Sequence, residues 1–361
     1  MNRDLLREHV QALVAESKKN PTKYAQDFQE RQEIVRYYGL FTEDRIRAMT
    51  VEDVYDYISQ LWAMQMWGNK HYRVNQIIDD NGLQNLRQKL AYLLHSDRDI
   101  AERWDSFRVE IKGMGPAMIS EILCRTYPQD FMIWNRRAYI ALRNLEVGNL
   151  PRYDYQLTGK VYSDLCDVCK SIAKELSSAG SDDSLLSVDY FFWERLQGED
   201  SLSQLDYRNA GLDKGRGRKD TLESKFIHDD IRDKLRDIGE WLGFNSGIEQ
   251  RVAEGSHVDT IWEATIGNMG RVIYVFEVQT KGSIDSLTIN LLKSLNNPAV
   301  QGVVAVSDRE QLEKIKKHTS DVPALRDKLR HWDYEQVLKV YEDLAYVNEC
   351  INNLGLVPQG F

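Results

Sequence analysis

The chain has 361 residues, 42% of them hydrophobic and 29% charged, which is long enough for two or three domains and too apolar for a mainly disordered chain. A formal charge of −9 argues against a protein that coats nucleic acid through bulk charge, but it leaves room for local basic surfaces. Apolar runs are too short for a bilayer-spanning helix. The start, MNRDLLREHVQALVAE, lacks an apolar signal core, so the expectation is a cytoplasmic protein with no membrane partner.

In chain order, residues 1–30 read as a helical arm. Residues 31–185 read as an all-α domain, with Thr42 and Thr50 before acidic residues as N-caps and NGLQNLRQKLAYLLHS carrying Leu at helical spacing. Cys166 and Cys169 form a CxxC inside an amphipathic run. With Cys124 and Cys350 standing alone, neither a disulfide framework nor a zinc knuckle is implied, and the thiols are expected to be reduced and mostly buried. A Ser/Gly/Asp break, SSAGSDDSLLS, precedes a helix-like run around FFWERLQ. Residues 186–222 read as a linker ending in the basic, Gly-rich GLDKGRGRKD.

The pattern changes over residues 223–320. HDDIRDKLRDIGEWLGF reads as a helix. SHVDTIWEAT, RVIYVFEVQ and VQGVVAVSD are β-branched and aromatic runs of strand length, and SIDSLTINLLKSLNN is a helix between the last two. The order implies an α/β unit with a mixed central sheet flanked by helices. Residues 321–361 read as a helical tail that serves as a dimer surface or a cap. The overall class is therefore α followed by α/β.

Two stretches carry chemistry. Asp259 opens one strand and Glu277 closes the next, across a turn, so both carboxyls are expected to converge at one sheet edge. Each interrupts an apolar run, where a charge is costly unless paired or metal-bound. Two hard oxygen ligands suit Mg²⁺, with Mn²⁺ as an alternative; the competing reading is structural pairing with Arg or Lys neighbours. Asp259, then seventeen residues, then Glu277-Val278-Gln279 resembles the PD-(D/E)XK nuclease superfamily. The tail EVQTK is similar to Holliday-junction resolvases and Mrr-type nucleases. The resemblance implies Asp259, Glu277 and the Val278 carbonyl as metal ligands. Gln279 stands at the family's lysine position, where it can orient a water but supplies no cation; Lys281 lies two residues on and is the candidate cation. His228 stands where the family has a helix acid, as a metal ligand, a proton carrier or simply a half-buried helix residue. Glu249 and Glu254 are secondary acidic candidates. Asn290, Lys293 and Asn297 on the following helix read as capping and surface residues, with contact to a nucleic-acid backbone as the alternative.

The second stretch is VEIKGMGPAMISEIL. It resembles a helix-hairpin-helix element with Gly113-Met114-Gly115 as the hairpin, Pro116 opening the second helix and Lys112 beside it, a geometry that binds a DNA phosphate. Its context is similar to the helix-hairpin-helix DNA glycosylases, but Ala117 and Asn135 stand where that family keeps its catalytic Lys and Asp. The expectation is a scaffold retained for DNA binding. Trp67 and Trp134 are candidates for a base pocket, with Asn135 reading an edge and Arg136 and Arg137 holding phosphates.

Together these resemblances imply a Mg²⁺-dependent DNA endonuclease of restriction, phage defence or repair, acting on double-stranded DNA, with a homodimer as a further expectation. The alternatives are a non-cleaving DNA-binding module, a nicking enzyme directed to lesions or modified bases, and RNA as the substrate.

Overall fold

A computed structural model describes residues 1–64, 70–196, 221–265, 270–280 and 283–353. The chain divides into two compact units, within residues 1–218 and 219–359.

The first unit is helical: α1 (Arg3–Lys19), α2 (Pro21–Gly39), α3 (Glu43–Ala48), α4 (Val51–Ser59), α5 (Lys70–Asn81), α6 (Leu83–His95), α7 (Ile100–Glu110), α8 (Pro116–Thr126), α9 (Arg136–Asn144), α10 (Gly159–Ser178) and α11 (Leu185–Arg195). Its helix starts follow the capping chemistry of the sequence. The Thr42 hydroxyl accepts from Arg45 N–H. Thr50 and Asp53 cap each other reciprocally, the Asp53 carboxylate accepting from Thr50 N–H at 2.8 Å. One apolar core joins these helices, and Trp104 stacks on Tyr162 within it, 4.0 Å between centroids. The N-terminal arm belongs to this core, because Leu6, Val10 and Leu13 recur at helical spacing and are buried. So does α11, at the start of the expected linker, through Leu185, Leu186, Val188, Phe191 and Phe192. Cys124, Cys166 and Cys169 are free and buried.

The second unit opens with α12 (Thr221–Trp241), followed by β1 (Asn245–Ala253), β2 (Ser256–Thr265), β3 (Arg271–Gln279), α13 (Ile284–Ser294), β4 (Val300–Ser307), α14 (Arg309–Thr319), β5 (Leu329–Asp333) and α15 (Tyr334–Asn353). The strands form one mixed sheet in the order β1-β2-β3-β4-β5. The β1–β2 and β2–β3 pairs are antiparallel, and β3–β4 and β4–β5 are parallel. The parallel pairs are joined through α13 and α14, whose Leu287, Leu291, Leu312 and Ile315 pack with Ile273, Val275 and Val303. On the other face Trp262 lies against Phe276 and donates its indole N–H to the Leu235 carbonyl of α12 at 2.7 Å. Gly239 permits that approach, since a Cβ there would fall 2.4 Å from Trp262 Cδ1. β5 lies in the stretch expected to be a helical tail. Its five residues are too few to show a strand period, and the pairing with β4 supplies what local sequence does not. Among the described residues no helix is long and apolar enough to cross a membrane.

Candidate active site

The β2–β3 ladder runs from Thr265–Arg271 down to Thr260–Phe276. On the other side of β2, the β1 ladder pairs Ile248 with Thr260 and Gln250 with Val258 but leaves out Glu249 and Asp259. Glu249 has φ 51°, in the left-handed region, so one pair is missing from the ladder where Asp259 stands, while the register on either side is kept. Two residues beyond Phe276, the last β3 residue paired with β2, the Val278 N–H donates to Asp259 Oδ2 at 2.7 Å. Asp259 Oδ1 meets His228 Nε2 of α12 at 3.2 Å. The Asp259 and Glu277 carboxyls are hydrogen-bonded to each other. The two acids predicted to converge are therefore in contact at the end of the ladder.

Their electrostatics diverge. Burial acts to raise the Asp259 carboxyl, but hydrogen bonds and charge from His228, together with the Val278 N–H, outweigh it and hold Asp259 below its ordinary value. Burial and the adjacent Asp259 charge push Glu277 up to about 9. The opposed shifts favour a single negative charge on the pair, with Glu277 the carboxyl that keeps its proton more readily. His228 follows from the same arrangement. Burial opposes its charge, but Asp229 and Asp259 on either side raise it to about 10. Asp229 is itself bound by Arg232 at 3.1 Å, and Arg232 reaches Glu249 at 2.9 Å. Glu249 is thus paired with α12 and does not join the two acids.

The donor set suits a hard cation. The two carboxyls lie side by side, and a divalent cation would offset the charge that Asp259 imposes on Glu277. Gln279, two residues from Glu277, shares its face of the strand and is buried. Its carbonyl is taken by Ser307 Oγ of β4. Main-chain groups of successive residues leave a strand on opposite edges, so the Val278 carbonyl lies on the β2 edge beside Asp259. Asp259, Glu277 and that carbonyl would hold Mg²⁺ with water completing its shell. Among the described residues no group of three or more His, Cys, Asp or Glu side chains is arranged to hold a metal ion. Lys281 lies outside the described residues.

Sequence reasoning missed one partner of this centre. Asn290 of α13, read as a capping or surface residue, donates from Nδ2 to Glu277 Oε1 at 3.1 Å and to the His257 carbonyl at 3.0 Å. A signal existed: Leu287, Leu291 and Ser294 form the buried stripe of α13, and an asparagine at 290 interrupts it at helical spacing.

In the first unit Gly113 has φ 77°, a conformation favouring glycine. Gly115 caps α8, with Pro116 in its first turn. The hairpin is clamped from α5. Asn81 accepts from Lys112 N–H at 2.8 Å and donates to the Lys112 carbonyl at 2.9 Å, while the buried Arg73 donates to the Gly113 carbonyl at 3.1 Å. Gly115 is exposed beside the start of α8. Trp134 is not a pocket residue. It is 5% exposed and belongs to the core, because Ser120 Oγ fixes its backbone on both sides, accepting from Trp134 N–H and donating to its carbonyl. Trp67 lies outside the described residues. Asn135 caps α9, accepting from Ala138 N–H at 2.9 Å. Its side chain also bonds Asp189 of α11, a half-buried acid pushed up to about 7 by burial against the charge of Arg137. Arg137 stacks on Trp193, 3.9 Å from the ring centroid, and that tryptophan is 50% exposed; Arg136 is half-buried at the first position of α9. Asp189 lies 54 residues beyond Asn135, and no local pattern in the sequence joins the two.

No family model, curated protein or solved structure matches the chain.

Proposed function

We propose that the chain is a Mg²⁺-dependent DNA endonuclease of the PD-(D/E)XK kind, with a first unit of helix-hairpin-helix, glycosylase-like character that docks on the phosphate backbone. The observation carrying this reading is the contact between Asp259 and Glu277 at the broken end of the β2–β3 ladder, with Glu277 raised to about 9 by its neighbour and its burial. Nothing in packing calls for a buried acid and a half-buried acid side by side. Charge neutralisation by a cation gives them a role. When bound, Mg²⁺ supplies an acidified water and offsets charge on the phosphoryl oxygens. Asp259 and Glu277 then serve as ionised ligands, the Glu277 proton leaving to solvent. Gln279 orients the attacking water through its amide. His228, hydrogen-bonded to Asp259, carries a proton beside it.

The test is nicking of supercoiled plasmid with Mg²⁺ or Mn²⁺ by the wild-type protein and Asp259→Ala. Cutting that disappears in the variant supports the enzyme. Absence of cutting on plain, methylated, mismatched and uracil-containing duplexes and on RNA would leave a non-cleaving binding module. A second reading, nicking directed to a lesion or modified base, is favoured by the group Asn135, Asp189, Arg137 and exposed Trp193, which offers hydrogen-bonding groups beside an aromatic face. Preferential cutting of one modified duplex distinguishes it.

A further inference from the structure

We infer that Asn290 is a positioning residue for the cation ligand Glu277, an inference that rests on the metal-site reading and deepens it. An amide nitrogen carries two hydrogens. Those of Asn290 are divided between Glu277 Oε1 and the carbonyl of His257, two residues before Asp259. One side chain from α13 therefore ties the ligand on β3 to the start of the strand that carries the other ligand. The same seam continues along α13 through main-chain and hydroxyl contacts that leave the Asn290 side-chain amide untouched. The Asn290 main-chain carbonyl accepts from Ser294 Oγ at 2.9 Å, and Ser294 Oγ meets Ser256 Oγ of β2 at 2.6 Å. Asn297 extends the seam by donating to the Val252 carbonyl of β1 at 2.9 Å. Of these polar contacts between α13 and the strands, the one from Asn290 is aimed at an acid of the centre. Outer hydrogen bonds of this kind hold a ligating carboxylate in one orientation, and their loss typically weakens metal binding about 10–100-fold.

The experiment is titration of the full-length, DNA-free protein with Mn²⁺, followed by loss of the free-ion signal in electron paramagnetic resonance. Wild type, Asn290→Ala, Asn290→Leu, Ser294→Ala and Glu277→Gln are compared, with thermal melts of each. Leucine keeps the branched shape of the side chain without a donor and favours the helix more than asparagine does, so it carries the test if the alanine variant fails to fold. The expected result is Mn²⁺ binding weakened about 10–100-fold by either Asn290 change and unaltered by Ser294→Ala, which loosens the same seam without touching Glu277. Wild-type affinity in the Asn290 variants, or equal weakening by Ser294→Ala, would overturn the positioning role while leaving the metal site standing. Wild-type protein that binds no more Mn²⁺ than Glu277→Gln would overturn the metal reading itself, and this inference with it.

Discussion

Replacing Glu277 by glutamine should stabilise the metal-free protein while removing its proposed activity. In the folded chain Glu277 is 8% exposed and raised to about 9, against an ordinary value of 4.5. Between those limits the native state binds a proton that the unfolded chain has released, so this group makes stability fall as pH rises from about 4.5 to about 9. At neutral pH the solution is about 2.5 units above the ordinary glutamate value. At about 1.4 kcal/mol per unit, protonation costs roughly 3 kcal/mol of folding free energy. Glutamine is neutral at every pH, can donate to Asp259 and accept from Asn290 as the protonated acid does, and escapes that cost. Thermal melts with chelator present should place the second unit of Glu277→Gln level with wild type near pH 4.5. At pH 7 the variant should melt roughly 6–12 °C higher, from about 2–4 °C per kcal/mol. His228, raised to about 10 by its acidic neighbours, contributes stability that is complete below its ordinary value of 6.5 and lost as pH rises through its folded value. It titrates in both proteins, so their difference reports Glu277. A gap that does not widen with pH, or a variant less stable than wild type at neutral pH, would mean that Glu277 is ionised in the native state and that the reasoning about the shared proton is mistaken.

Three further outcomes are expected. Asp259→Ala removes the acceptor of Val278 N–H and the partner of His228, and should reduce Mn²⁺ binding and plasmid nicking to background; residual cutting at the wild-type rate would place the chemistry elsewhere. Lys112→Ala should lower the slope of log affinity against log salt for duplex DNA by about one unit, and an unchanged slope would remove Lys112 from the interface. Glu121→Ala should destabilise the first unit by about 3–5 kcal/mol in urea titrations, since it strands the buried Arg125 without its counter-ion and frees the N–H groups of Trp62 and Ala63; a loss below about 1 kcal/mol would show that the pair carries little.

The sequence makes the second unit legible where the hydrophobic period is clean. β2, β3 and β4 follow runs of β-branched and aromatic residues, α12 and α13 follow amphipathic spacing, and the antiparallel pairing of β2 with β3 is enough to bring Asp259 to Glu277. What escapes is set by tertiary contact. β5 takes its identity from lying beside β4. α11 follows a Ser/Gly/Asp break that reads as the beginning of a linker, yet its apolar residues complete the first unit's core. Trp134 stands among polar neighbours in sequence, and only the packed structure shows its ring turned inward. The contacts of Asn135 with Asp189 and of Asn290 with Glu277 join residues on separate elements. Of the two, only Asn290 leaves a trace, as a polar residue on an apolar stripe.

The Val278 amide has an evolutionary consequence. Because position 278 contributes its main chain to Asp259, exchange among isoleucine, threonine and valine there leaves that contact untouched. Proline alone among the twenty residues would delete the donor, at the expense of the strand. Natural selection acting on this centre would therefore police positions 259 and 277 through their side chains but hold 278 only to an apolar residue that fits its buried place, and a comparison of related chains would read as ordinary packing a position that holds one of the acids in place.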